Sequence, residues 1–415
     1  MYIITRATRP QPLRNTCFQL QWRITVLRGT RGAGRTELVI RLELSRVVHL
    51  LQRAVTRIGP VAFGVGDDVP GCFRPPAELA SVTPSHSLWH MRHQVVDARG
   101  TRIHCVEEGS GPLVLLVHGF PESWYSWRHQ LPVIAAAGFR AVAIDVRGYG
   151  RSSAPLDVEA YGMLQHVSDN LGVVEALAER GSQAIIIGHD WGAPIAANSA
   201  LLRPDVFTAV AMLSVPYSPP GSRRPTEAFA EMGRQAGPDE EFYISYFQEP
   251  GRAEREAEID VRTWLLGFYV AASADGARSA SGAGSIATVA HGRMLRDRFP
   301  APGPLPGWLA EDDLEFYAGE FERTGFRGAL NRYRNVDRDW QDLQPWRGAP
   351  IRVPSLFIGG EQDGPTRWGA RAIARFPDTL PGLRGSHILP RCGHWVQQEQ
   401  PDEVNRLLVD WLKSL

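Results

Sequence analysis

The stretch IIIGHDWGAP, residues 185–194, sets an aspartate among small residues where an apolar run meets a helix-like segment. Gly188, Gly192 and Ala193 surround Asp190, and such neighbours permit a tight strand-to-helix turn that holds a side chain out at a sheet edge. The helix amino terminus behind it favours negative charge. A carboxylate held this way can attack a saturated carbon without first losing a proton, leaving an alkyl ester on the enzyme. A serine in the same turn would need deprotonation and would form a stable ether. Aspartate is also an ordinary helix N-cap, so it is the strand-turn-helix context that favours the nucleophile.

Two further residues fit the same chemistry. On a sheet of this kind a triad runs nucleophile, acid, histidine in chain order, with the acid after a later strand and the histidine after the last one. Asp363 closes LFIGGEQD, and His394 lies in PRCGHWVQQEQP before the final helical pattern. Glu361 is the rival acid, nearer the strand end. An ester on Asp190 must be cleaved, which needs a base for water, His394, and a carboxylate to orient that base, Asp363. The oxyanion formed in that step requires N–H donors, and those of Phe120 and Trp191 are in the expected places. His118, His129 and His189 are read as structural, His118 as ordering the loop after its strand.

The elements that must position these groups are regular from Met91 onward. HQVVDARGTRIHCVEEG predicts two strands joined at Arg99-Gly100, and PLVLLVHGFPES a buried strand ending in a loop. Strand and helix patterns then alternate through RAVAIDVRGYGRS, YGMLQHVSDNLGVVEALAERG, QAIIIGHDWG, APIAANSALLRP and TAVAMLSVP. They resume with PSLFIGGEQD, a helix near WGARAIARF, SHILPRCGHW and a terminal helix. The expected class is α/β, with a mostly parallel eight-stranded sheet flanked by helices. Residues 91–216 and 347–415 form its two parts. Residues 217–346, helical and aromatic with no strand signal, are read as a cap inserted over the carboxyl edge, where open α/β sheets bind ligands. Within it SADGARSASGAGS, 273–285, reads as a mobile loop. RGYGRS lacks a following Lys and GxGxxG spacing, so it is a strand-end turn and not a phosphate loop.

Composition excludes other classes. The 415 residues hold 45 basic and 45 acidic side chains, so overall charge makes no case for nucleic acid or an anionic membrane. No apolar run approaches a membrane span, and Cys17, Cys72, Cys105 and Cys392 show neither disulfide nor zinc spacing. Residues 1–58 carry eleven arginines against Glu37 and Glu43. Residues 1–90 are read as a poorly ordered extension outside the chemistry, with one short helix conceivable in ELVIRLELSRVVHLLQRAV. Scarce serine weakens a transit-peptide reading.

HGFPESWYSWRHQ, DVRGYGRSS, GHDWGAP, YISYFQEPG, LPGWLAEDDLEFYAGEFERTGFRGALNRYRNVDRDW and GHWVQQEQP together resemble a soluble epoxide hydrolase of the α/β-hydrolase fold, over residues 91–415. The resemblance implies conversion of epoxides to vicinal diols, with Asp190 as nucleophile, His394 as base, Asp363 as its acid, and Tyr243 and Tyr333 as cap tyrosines that grip the epoxide oxygen. The departing alkoxide is a poor leaving group and needs a moderately acidic donor, which tyrosine supplies. A haloalkane dehalogenase would share the aspartate and its following Trp but has no need of paired tyrosines. A non-catalytic ligand-binding member of the fold would have no use for the triad. Tyr246, Tyr269 and Tyr317 are read as packing. Trp124 and Trp127, with Phe120 and Trp191, are expected to line an apolar pocket. No cofactor or metal is expected. The expected partners are a small epoxide and water, with a homodimer as the candidate assembly and a cytoplasmic location.

Overall fold

The computed structural model describes residues 91–415 apart from 179–180, 280–285 and 301–302, together with two short strands nearer the amino terminus. The chain divides into two compact units, Met1–Val82 and Thr83–Leu415.

In the first unit β1 (Thr25–Thr30) pairs antiparallel with β2 (Thr36–Arg41), Thr25 opposite Arg41 and Thr30 opposite Thr36. This corrects the expected helix beginning at Glu37 over its first residues. TELVIR is rich in β-branched side chains, and a short apolar run does not distinguish strand from helix by spacing alone. The remainder of that expected helix, and the reading of residues 1–90 as poorly ordered, lie outside the described residues.

The second unit is built on an eight-stranded sheet of β3 (Arg92–Ala98), β4 (Thr101–Glu108), β5 (Leu113–Val117), β6 (Arg140–Ile144), β7 (Ala184–His189), β8 (Phe207–Leu213), β11 (Ser355–Gly360) and β12 (Leu383–Leu389). The spatial order is β12-β11-β8-β7-β5-β6-β4-β3. Only the β3–β4 and β4–β6 pairs are antiparallel. The β3–β4 hairpin turns at Arg99 and Gly100, both with positive φ, as a two-residue hairpin requires. Strands β5 and β7 are buried along their whole length. Their sequences LVLLV and AIIIGH show no alternation because both sheet faces are covered. The last helix, Pro401–Lys413, buries Val404, Leu407, Leu408, Trp411 and Leu412, the i, i+3, i+4 stripe of a helix lying on a core.

Between β8 and β11 the chain forms a helical cap that includes Pro225–Ala236, Val261–Ala272 and Glu311–Thr324, with the short helices Tyr243–Tyr246, Arg327–Tyr333 and Val336–Asp342. It also contains a small antiparallel sheet of β9 (Glu240–Phe242) and β10 (Thr288–Ala290), where no strand was expected. Three-residue strands are too short to leave a period in sequence. The expected mobile loop at 273–285 is helical over Ala274–Ser279. The Ser273 hydroxyl accepts from the N–H groups of Asp275 and Gly276 and so begins the helix; 280–285 lie outside the described residues. Among the described residues no helix is long and apolar enough to cross a membrane.

Candidate active site

Asp190, at φ 51°, follows β7 directly and is separated from the helix Gly192–Leu202 by Trp191 alone. A β-carbon at Gly192 would lie 1.9 Å from the Val117 carbonyl oxygen, and one at Gly188 would lie 1.9 Å from the Gly192 carbonyl oxygen. Only glycine lets strand and helix approach this closely, and that approach presents the carboxylate at the carboxyl end of the central strands. Asp190 is nearly buried. Its Oδ1 accepts the Phe120 N–H at 2.7 Å, and its Oδ2 lies 3.3 Å from His394 Nε2. The Trp191 N–H, the other expected donor, makes no hydrogen bond to this carboxylate among those described.

His394 follows β12, and its Nδ1–H donates to Asp363 Oδ1 at 2.8 Å. Asp363, fully buried after β11, spends its other oxygen on the Thr366 N–H at 3.1 Å and hydroxyl at 2.7 Å. It N-caps Gly364–Trp368 and is thereby fixed in orientation. The rival Glu361 is exposed and accepts from the Arg391 N–H. Burial opposes a charge on His394, but the charge of Asp363 and the hydrogen bonds the imidazole donates to both carboxylates outweigh it. Its pKa therefore stands well above the ordinary histidine value.

Tyr243 and Tyr333 come from two cap helices, with ring centroids 6.3 Å apart. Burial, then the charge of Asp190, raises the pKa of each, so both hydroxyls keep their protons as donors. The three cap tyrosines read as packing, Tyr246, Tyr269 and Tyr317, are committed elsewhere. Tyr246 donates to Glu256, Tyr269 to the Pro121 carbonyl at 2.6 Å, and the Tyr317 hydroxyl lies 2.8 Å from Ser126 Oγ.

Phe120 stands edge-on to Phe247, Phe268 and Tyr333, and Trp191 edge-on to Tyr333. These rings form the apolar wall beside Asp190. Trp124 and Trp127 are not brought to this group. Trp124 packs against His93, Tyr125 and Phe316, Trp127 is fully buried, and neither has a ring contact with Phe120, Trp191, Tyr243 or Tyr333 among the described residues.

The three histidines read as structural, His118, His129 and His189, stand outside the Asp363–His394–Asp190 chain of side-chain contacts. His118 Nδ1–H donates to the Gly119 carbonyl, while Nε2 accepts the Val146 N–H at 3.0 Å, tying two strand-end loops together. Burial lowers the His129 pKa to about 4. His189 links Glu122 Oε2 and the His394 carbonyl, both at 2.8 Å.

Sequence reasoning missed Glu122 and Glu399. Glu122 is fully buried, and burial alone would raise its pKa. Contacts with His189 and His118 and the Gly119 N–H instead hold it down at about 2. Glu399 accepts three N–H groups, those of Ala274, Gly393 and Trp395, and so clamps the His394 loop to the start of a cap helix. An acidic residue inside an otherwise apolar loop, HGFPES, was the one signal that pointed to Glu122.

A mostly parallel sheet, a strand-end carboxylate with an adjacent His–Asp pair, and an inserted helical cap define an α/β-hydrolase. Residues 112–269 match the family model described as the alpha/beta hydrolase fold. Epoxide hydrolase B of Mycobacterium tuberculosis is 44% identical over 355 residues, 78% of this chain and 98% of that one. The solved structure of an epoxide hydrolase from an endophytic Streptomyces is 62% identical, with a TM-score of 0.73, covering 78% of this chain and 95% of that one. Epoxide hydrolase A from Mycobacterium thermoresistibile is 41% identical, with a TM-score of 0.71, covering 78% and 98%. The chain belongs to the epoxide hydrolase family.

Proposed function

We propose that this enzyme opens epoxides to vicinal diols in two steps through an ester on Asp190. The observation that carries the reading is the Asp190 carboxylate itself, held by the Phe120 N–H on one oxygen and facing His394 Nε2 on the other.

In the first step a carboxylate oxygen of Asp190 attacks an epoxide carbon. The C–O bond of the ring breaks, and its electron pair stays on oxygen. Tyr243 and Tyr333 donate hydrogen bonds to that oxygen as charge develops on it, which is where stabilisation raises the rate. The proton that neutralises the alkoxide comes from His394 by way of solvent, leaving a neutral imidazole. Esterification has by then removed the Asp190 charge, one of the influences that kept His394 protonated. In the second step neutral His394 takes a proton from water, and the hydroxide attacks the ester carbonyl carbon. The oxyanion is received by the Phe120 and Trp191 N–H groups, the departing alkoxide takes the proton back from His394 and leaves as the diol, and the carboxylic acid left at Asp190 passes its proton to His394, restoring the starting pair. Asp363 steadies the imidazolium whenever it forms.

A haloalkane dehalogenase would use the same nucleophile but gives paired tyrosines no task. The test is a His394→Gln variant, expected to form the Asp190 ester and fail to release it, which intact-protein mass detects after addition of styrene oxide. Normal steady turnover by that variant would remove His394 from the base role.

A further inference from the structure

Arg332 is a buried cation that the two-step chemistry leaves unused. It immediately precedes Tyr333 and is only 2% exposed. One guanidinium nitrogen donates to the Tyr161 carbonyl and another to Asp339, whose second oxygen accepts the Met163 N–H at 2.6 Å. The Nε–H has no hydrogen-bond partner among the described residues. The guanidinium also packs on Trp191, with Cζ 4.7 Å from that ring's centroid. That ring in turn stands edge-on to Tyr333 at 5.1 Å and 88°. Arg332, Trp191 and Tyr333 thus form a closed set of contacts, and Trp191 is joined covalently to Asp190.

The electrostatics run the same way. Burial pulls the guanidinium pKa down to about 9, and the hydroxyls of Tyr149 and Tyr333 are the groups that oppose the fall. The titratable groups around it are Tyr149, Tyr333, His166 and Asp339. Asp339 is ion-paired with the same guanidinium. In the proposed ring opening, negative charge moves from Asp190 to the former epoxide oxygen, against which Tyr333 donates, and the indole on which Arg332 stacks stands against the ring of that tyrosine.

We propose that Arg332 is a positioning residue for ring opening: stacked on Trp191, it holds the indole against the ring of Tyr333 and so fixes the tyrosine that donates to the departing oxygen. This rests on the proposed assignment of Tyr333 and Asp190.

The test resolves the two steps by rapid quench on the full chain with styrene oxide, following ester formation and ester decay separately. Removing the cation alone would strand Asp339, so the comparison is Arg332→Met with Asp339→Asn against Asp339→Asn alone. Ester formation is expected to fall about 10- to 100-fold, the range a desolvated cation–π contact and charge can supply, while ester decay stays within about threefold. Arg332→Lys, which keeps the charge but loses the flat stack, is expected to lie between the two. Ester formation unchanged within about twofold in either Arg332 variant, or an equal fall in both steps, overturns the proposal. Should the double variant fail to fold, the Arg332→Lys split decides alone. A His394→Gln protein that accumulates no Asp190 ester would be a different result, removing the underlying reading and this inference with it.

Discussion

The sheet and the cap meet at one site but hold their residues there by different means. On the sheet side, Asp190, Asp363 and His394 each sit at the end of a strand, and local backbone fixes each of them. Asp190 is held by a positive-φ turn, Asp363 by its own helix cap, and His394 by a loop clamped through Glu399. On the cap side, Tyr243 and Tyr333 ride on helices of four and seven residues, and aromatic packing and buried ion pairs hold those helices. Strand-end placement is rigid and suits groups that exchange protons over 3 Å. Side-chain packing permits adjustment, which suits the proposed role of these tyrosines in closing on a bound epoxide.

If that division is right, the sheet residues govern ester chemistry as a whole and the cap residues govern ring opening. The largest expected effect is at Asp190. Asp190→Ala is expected to lower diol formation by about 10,000-fold or more with thermal stability preserved, since no other carboxylate reaches the electrophile. Retained turnover would separate the elbow from the chemistry. Next comes the tyrosine pair: Tyr243→Phe with Tyr333→Phe is expected to slow ester formation about 1,000-fold, and each single change about 10- to 100-fold. Rapid quench measures it, and unchanged ester formation would return the dehalogenase reading.

A smaller effect concerns pH. In the free enzyme the His394 pKa is raised in part by Asp190, an influence lost in the ester. Ester decay needs neutral His394, so its rate is expected to rise with pH through a midpoint below the His394 titration of the free enzyme. An imidazole NMR titration and a pH series of single turnovers give the two midpoints, and coincident values would contradict the assignment. The smallest effect separates packing tyrosines from working ones. Tyr246→Phe deletes one of four hydrogen bonds to buried Glu256 and is expected to cost about 1 kcal/mol of stability. Turnover should stay within about threefold. A loss as large as that of Tyr243→Phe would erase the distinction between the two residues.

The same division explains what could be read in the sequence. Asp190, Asp363 and His394 were legible because strand-end placement leaves a local signature: small residues around the elbow, an apolar run before each loop, and a fixed chain order. Glu361 was set apart from Asp363 by position alone, and the structure adds the reason that Thr366 binds only the latter. Tyr243 and Tyr333 became legible through family resemblance, since aromatic residues fill the cap and no spacing marks the pair. Glu122, Glu399 and Arg332 stayed hidden because the contact that gives each its place is distant in sequence, with His189, Ala274 and Trp191 respectively, and contacts of that kind leave no period. The strands β9 and β10 were missed for their brevity. TELVIR was misread because a few apolar residues fit a helix and a strand equally well.

The covalent ester on Asp190 is the centre of the account, and single-turnover reaction in 18O-labelled water, with enzyme in excess over styrene oxide, tests it most directly. The account predicts label in the Asp190 carboxylate and none in the first diol released, because hydroxide attacks the carboxyl carbon. Label in that first diol, with Asp190 unlabelled, would contradict it.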